Sequence, residues 1–176
     1  LWYGDRRVCG PLRFSLERGE RIALEGRNGS GKSSLLKLLL GQDIRHEGTL
    51  DQAPGLKVSY VPQDTSFLRG TLGDFILERG IDESLFKAIL RKLGFSREQF
   101  DRPLEDYSGG QKKKTLIAAS LCEQAHLYVW DEPLNFVDID SRLQIEALLR
   151  EFAPAMLFVE HDRAFQEAVA TRVIRL

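Results

Sequence analysis

Two cysteines, Cys9 and Cys122, and one methionine, Met156, are all the sulfur in this 176-residue chain. Thiols that few and that far apart form neither a disulfide framework nor a zinc-ligand spacing, so free thiols in a reducing compartment are expected. Also missing is any apolar run near the roughly 18 residues that a membrane-spanning helix needs. Insertion of the chain itself into a membrane is therefore not expected. No charge of one sign predominates: 25 Lys and Arg stand against 26 Asp and Glu, a formal net charge of −1. That balance excludes a domain that grips nucleic acid by bulk neutralisation of phosphates. Internal repeats, low-complexity linkers and a secretory leader pattern are lacking too, which makes the cytoplasm the expected location. The chain opens on Leu1 and not on methionine, so it reads as a segment of a longer parent.

What is present is an ordinary globular composition, 43% hydrophobic and 29% charged. The length suits one domain, 1–176, with a sizeable core. Leu12, Phe14 and Leu16 alternate with polar residues and predict antiparallel strands within 1–17. Arg21–Glu25 predicts a strand, 32–41 a helix, and 48–51 and 56–61 short strands that end at Pro62. From Thr71 the apolar spacing turns helical, so 71–106 is expected to form a helical lobe. A further helix is expected over 110–121, and another over 140–152. The runs "LYVW" (127–130) and "AMLFVE" (155–160) suit buried parallel strands, and "TRVIRL" a last one. Strands alternating with helices in this order predict an α/β fold with a parallel core sheet.

The stretch "GRNGSGKSS" (26–34) lies between the expected strand and helix. Gly26, Gly31, Lys32 and Ser33 fit G-x-x-x-x-G-K-[ST], and strand, glycine loop, helix is the setting that pattern requires. Backbone N–H groups from Asn28, Gly29, Ser30, Gly31, Lys32 and Ser33 would line an anion site at a helix N-terminus. Lys32 supplies a mobile cation for the outer phosphates, and the Ser33 hydroxyl a ligand for Mg²⁺. A plain Gly-rich turn would explain the glycines but not Lys32 followed by Ser33. The expected ligand is a nucleoside triphosphate.

Such a site needs a further metal carboxylate and a group to activate water. "LYVWDEP" ends an apolar strand in Asp131, which would hold Mg²⁺, and Glu132, which would polarise the attacking water. By themselves these acids could equally be a solvated turn; a phosphate loop upstream favours the functional reading. "YSGGQ" (107–111) puts Ser108-Gly109-Gly110 at another helix N-terminus, suited to an anion or to an ordinary serine cap.

Together these stretches resemble an ATP-binding cassette (ABC) ATPase, over nearly the whole chain and in the family's order. The resemblance implies ATP and Mg²⁺ as ligands, bound by Gly26 to Ser34, with Tyr3 placed where the family stacks an aromatic ring on adenine. Strand packing is the alternative for Tyr3. Gln63 in "YVPQD" matches the glutamine that reaches Mg²⁺ and the attacking water. "YSGGQ" matches the family signature, with Tyr107 where leucine is commoner. Asp131 and Glu132 match the metal carboxylate and general base, and Asp138 an aspartate at the dimer contact. His161 in "FVEHD" matches the histidine at the γ-phosphate; His46 and His126 are expected to be structural or solvated. A small antiparallel β subdomain and a reduced helical lobe complete the implied fold. A second cassette, paired head to tail and carried in the same parent, is the implied partner.

Within the family, "DEPLNFVDIDSR", with Asn135, looks more like the F subfamily (ABC-F) than like transporter motors. "GGQKKK" and "LFVEHDRAF" resemble the second cassette of the antibiotic-resistance proteins in that subfamily, which act on the ribosome. The alternative is the motor subunit of a membrane transporter. Lys112-Lys113-Lys114 are expected to form a solvated helix face, with contact to RNA as the alternative.

Overall fold

The computed structural model describes residues 1–3, 6, 7 and 9–176, with side chains described for residues 1, 2 and 9–176. In chain order the elements are β1 (Trp2–Tyr3), β2 (Arg6–Arg7), β3 (Arg21–Glu25), α1 (Lys32–Leu39), β4 (Val58–Val61), α2 (Leu72–Arg79), α3 (Glu83–Lys92), α4 (Gly109–Cys122), β5 (Leu127–Asp131), α5 (Ile139–Phe152), β6 (Met156–Val159), α6 (Arg163–Val169) and β7 (Arg172–Arg175). Two 3₁₀ turns, Arg97–Asp101 and Leu104–Asp106, precede α4. The chain divides into two compact units: residues 1–60, 125–131 and 153–176, and residues 61–124 and 132–152.

The first unit is built on a five-stranded sheet in the order β4-β5-β6-β3-β7. The pairings β5–β6, β6–β3 and β3–β7 are all parallel. Parallel strands buried on both faces need continuous apolar sequence. Ile22, Ala23 and Leu24 of β3, Val129 and Trp130 of β5 and all four residues of β6 supply it, each at 1% exposure or less. One face of β3, β5 and β6 forms a cluster with Leu35 and Leu36 of α1, and Leu12, Phe14 and Leu16 pack against it, half-buried. Register places Leu24 and Asp131 both beside Val159, so β3, β5 and β6 end together at one sheet edge. A two-stranded antiparallel sheet, β1–β2, completes this unit among the described residues.

Two strand expectations are corrected. Residues 12–16 do alternate between half-buried and exposed, but they form no ladder; their apolar side chains lean on the core, and the Ser15 carbonyl accepts from the Arg172 guanidinium. Residues 48–51 are irregular, with Gly48 at φ 99°, a left-handed conformation that interrupts extended pairing.

The second unit is helical. Phe86, Leu90 and Leu93 of the α3 region, and Leu116 and Ile117 of α4, form its interior, none above 1% exposure. α2 begins at Thr71, whose hydroxyl accepts from the Asp74 N–H, and α3 at Asp82, whose carboxylate accepts from the Leu85 N–H. Each such cap stabilises a helix start by about 1 kcal/mol. Phe95 and Tyr107 meet edge-on at 5.6 Å between ring centroids. The helical expectation for the stretch after Thr71 is realised as α2 and α3 followed by the two 3₁₀ turns.

Candidate functional site

Within the first unit the phosphate loop leaves the end of β3 and enters α1. Gly31 caps α1 at φ 97°, and Gly29 lies at φ 79°; residues with a Cβ resist both conformations. A Cβ on Gly26 would run into the Ser30 side chain and close to the Leu176 carbonyl, at 3.2 Å. Asn28 and Ser33 are exposed, Ser34 half-buried, and Lys32 buried at 7% exposure. Lys32 Nζ crosses the loop to donate to the carbonyls of Gly26 at 2.7 Å and Arg27 at 3.1 Å. Ser30 Oγ is buried and has no hydrogen-bond partner among the described residues. An unpaired buried hydroxyl costs about 1–3 kcal/mol, and an oxyanion entering the loop would relieve it. The loop therefore fits phosphate on its own atoms.

Asp131 ends β5 at the same sheet edge, 4% exposed. Its charge, secondary to burial itself, pushes the Tyr60 phenol up to about 12. Two residues beyond the end of β6, His161 is exposed, and its main-chain N–H donates to the buried Glu160 carboxylate at 2.8 Å. β3, β6 and β5 are adjacent, so the phosphate loop, His161 and Asp131 leave one edge of three neighbouring strands. That is the edge at which open α/β sheets bind ligands. The ring of Tyr3 lies outside the described side chains.

Within the second unit Glu132 follows Asp131 directly and holds φ at 47°. A left-handed conformation costs a non-glycine residue about 1–2 kcal/mol. Such strain gathers where function fixes a side chain. Its Oε2 accepts from Gln63 Nε2 at 2.9 Å and from Asn135 Nδ2 at 2.8 Å. Gln63, expected from the family resemblance to reach Mg²⁺ and the attacking water, here bonds the Glu132 carboxylate. Asn135 had been read only as a subfamily marker; that it grips Glu132 was not readable from the pattern.

Ser108 caps α4, its hydroxyl accepting from the Gln111 N–H at 3.2 Å while Gln111 Oε1 accepts from the Ser108 N–H at 2.9 Å. Gly109 and Gly110 open the helix beneath Phe136, itself at φ 65°. A Cβ on Gly110 would collide with the Phe136 carbonyl, and one on Gly109 would crowd the Phe136 ring. Tyr107, in place of the commoner leucine, is buried, and its hydroxyl donates to the Gln99 carbonyl at 2.7 Å. The signature loop is thereby tied to the preceding 3₁₀ turn.

Lys112-Lys113-Lys114 do not form a solvated face. Lys113 is 2% exposed and Lys114 half-buried, because α4 is buried around most of its circumference. Lys114 Nζ lies 2.5 Å from Asp138 Oδ2. Partial burial works against the ionised Asp138, but hydrogen bonds from Lys114, the Ser141 N–H and the Ser141 hydroxyl outweigh it and hold the carboxyl at about 2. His126 Nδ1 accepts from the Lys57 N–H at 3.0 Å, a structural role, and His46 is exposed. Cys9 and Cys122 are free thiols.

Among the described residues no three His, Cys, Asp or Glu gather as metal ligands. A Mg²⁺ held by one carboxylate, a hydroxyl and substrate phosphates needs no such cluster. Asp131 and Ser33 are the first-unit residues of that type. When bound, the ion would neutralise charge on the phosphates.

Comparison with known proteins gives these parts their context. Residues 9–135, well over half of the chain, match the family described as ABC transporter. The chain belongs to that family, as one of its ATP-binding ATPase domains. It is 33% identical over 175 residues to "Ribosome protection protein VmlR" of Bacillus subtilis, covering 94% of this chain and 30% of that protein. Over 169 residues it is 35% identical to "Zinc import ATP-binding protein ZnuC" of Yersinia enterocolitica, covering 91% of this chain and 66% of that one. A solved "ATP binding subunit of ABC transporter" shares the fold, with a TM-score of 0.80 at 23% identity, covering 99% of this chain and 81% of its own. The chain thus spans about 30% of the length of relatives such as VmlR.

Proposed function

We propose that this chain is the ATP-hydrolysing cassette of a soluble, ribosome-acting ABC-F protein. The observation that carries the reading is the pair of amides on Glu132: Gln63 and Asn135 both donate to Oε2. They hold the carboxylate in one orientation. In this reading Gly26, Asn28, Gly29, Ser30, Gly31, Lys32, Ser33 and Ser34 cradle the phosphates, Tyr3 faces the base, and Lys32 exchanges its two carbonyls for phosphate oxygens. Ser33, Gln63 and Asp131 hold Mg²⁺, His161 meets the γ-phosphate, and Glu132 takes the proton from the attacking water. Ser108, Gly109 and Gly110 serve the ATP of a second cassette. Asn135 supports the ABC-F branch, as does the similarity to a protein named for ribosome protection.

A zinc-import ATP-binding protein is equally similar and matched over a larger share of its length, which keeps the transporter motor as the second reading. Among the described residues no helix is long and apolar enough to cross a membrane, so any spanning segment in that reading belongs elsewhere.

Glu132→Gln tests the chemistry. The amide keeps shape and hydrogen bonding but is a poor base, so ATP affinity should hold while hydrolysis falls about 10²–10⁴-fold. Unchanged hydrolysis would contradict the assignment. Placed in the full-length parent, the same variant decides the branch. Co-sedimentation with ribosomes only in ATP supports the soluble factor, and partition into membranes supports the transporter.

A further inference from the structure

Lys113 is among the largest fully buried side chains of the described residues, 2% exposed, and its Nζ donates to the Pro62 carbonyl at 2.7 Å. Burying an ammonium is costly unless it is bonded, and a methionine would fill the same space without that cost. The lysine is therefore explained by what its head group holds. Pro62 immediately precedes Gln63, whose Nε2 donates to Glu132 Oε2 at 2.9 Å. On the other side of Gln63, the Asp64 carboxyl is held below the usual range by Ser66, through its N–H and hydroxyl, with a smaller contribution from the Lys113 charge. Lys113 thus holds the residue immediately before Gln63.

The next residue reaches a different segment. Lys114 pairs with Asp138, three residues past Asn135, and Asn135 Nδ2 donates to the same Glu132 oxygen at 2.8 Å. One turn of α4, directly behind Ser108-Gly109-Gly110, therefore grips both segments whose amides converge on Glu132. We propose that Lys113 is a positioning residue that couples the signature helix to Glu132, fixing Gln63 through the Pro62 carbonyl and, through Gln63, the carboxylate. Lys113 touches neither water nor nucleotide in this account. The inference rests on the reading of Glu132 as the base.

The test reads the tether without nucleotide. Side-chain amide ¹⁵N–¹H resonances of Gln63 and Asn135, assigned with Gln63→Ala and Asn135→Ala, report the two arms separately. Lys113→Met should move the Gln63 amide toward the position of an unstructured glutamine and leave that of Asn135 in place. It should also lower kcat about tenfold, the equivalent of one lost hydrogen bond, with the affinity for ATP measured without Mg²⁺ unchanged. Added to Gln63→Ala, it should cost nothing more. Should the methionine variant not fold, Lys113→Gln, too short for the carbonyl, carries the same comparison. A Gln63 amide unmoved by the substitution, or moved with kcat intact, would overturn the proposal. If instead Glu132→Gln hydrolyses normally while the Gln63 amide still moves, the reading of Glu132 fails and with it the catalytic half of the proposal; the tether alone survives.

Discussion

Lys32 Nζ is bonded to two carbonyls of its own loop, and binding requires it to exchange them for phosphate oxygens. Charge-assisted hydrogen bonds contribute about 1.5–3 kcal/mol, so Lys32→Ala should weaken ATP binding about 10- to 100-fold. Titration of a folded variant with a fluorescent ATP analogue would show it; unchanged affinity would contradict the phosphate assignment. Lys32, Asp131 and Glu132 were legible in the sequence because their chemistry depends on residue type at fixed spacing. Lys113 was not. Three lysines in a row read as surface, and only burial around α4 shows that the middle one is interior. Asn135 was visible as a departure from the transporter pattern, but its target Glu132 is set by two left-handed residues, Glu132 and Phe136, which sequence does not announce.

Helix α4 is the element on which the second unit depends. Gly110 is excluded from carrying a side chain by the Phe136 carbonyl, so Gly110→Ala should force that loop outward. Overpacking of this kind costs about 1–3 kcal/mol, measurable by urea unfolding of the chain. A variant as stable as the parent would mean that the loop yields freely. The Lys114–Asp138 pair adds a pH dependence. The folded Asp138 carboxyl lies at about 2, below its ordinary 3.8. Its contribution is therefore present above about pH 4 and lost as pH falls toward 2. Asp138→Asn should remove that part of the acid sensitivity, so the stability gap between variant and parent should narrow between pH 4 and 2. A constant gap would contradict the shift. Element boundaries followed the sequence best where burial is complete, as in β3, β5 and β6. They failed at 12–16, because alternation reports which side faces the core and not whether a neighbouring strand supplies hydrogen bonds, and at 48–51, where Gly48 takes a left-handed φ and every residue is exposed. Helix α6 went unread: its few apolar positions, Phe165 and Val169, span too short a run for periodicity to register.

At the scale of the whole molecule, the α/β architecture and the family follow from the order of motifs, and the family match agrees. The partner does not follow from this chain, which spans about 30% of relatives such as VmlR. The central claim is that each ATP is hydrolysed between one cassette's phosphate loop and another's signature. Mixing two inactive variants tests it most directly. Lys32→Ala spoils a chain's own phosphate loop, and Ser108→Arg spoils the signature it offers to its partner. Head-to-tail pairing leaves one intact site in each mixed dimer, so an equimolar mixture at high concentration should recover about a quarter of the parent's ATPase activity while each variant alone stays inert. A mixture as inactive as its components, beside a parent whose activity per molecule does not change with concentration, would contradict the shared site.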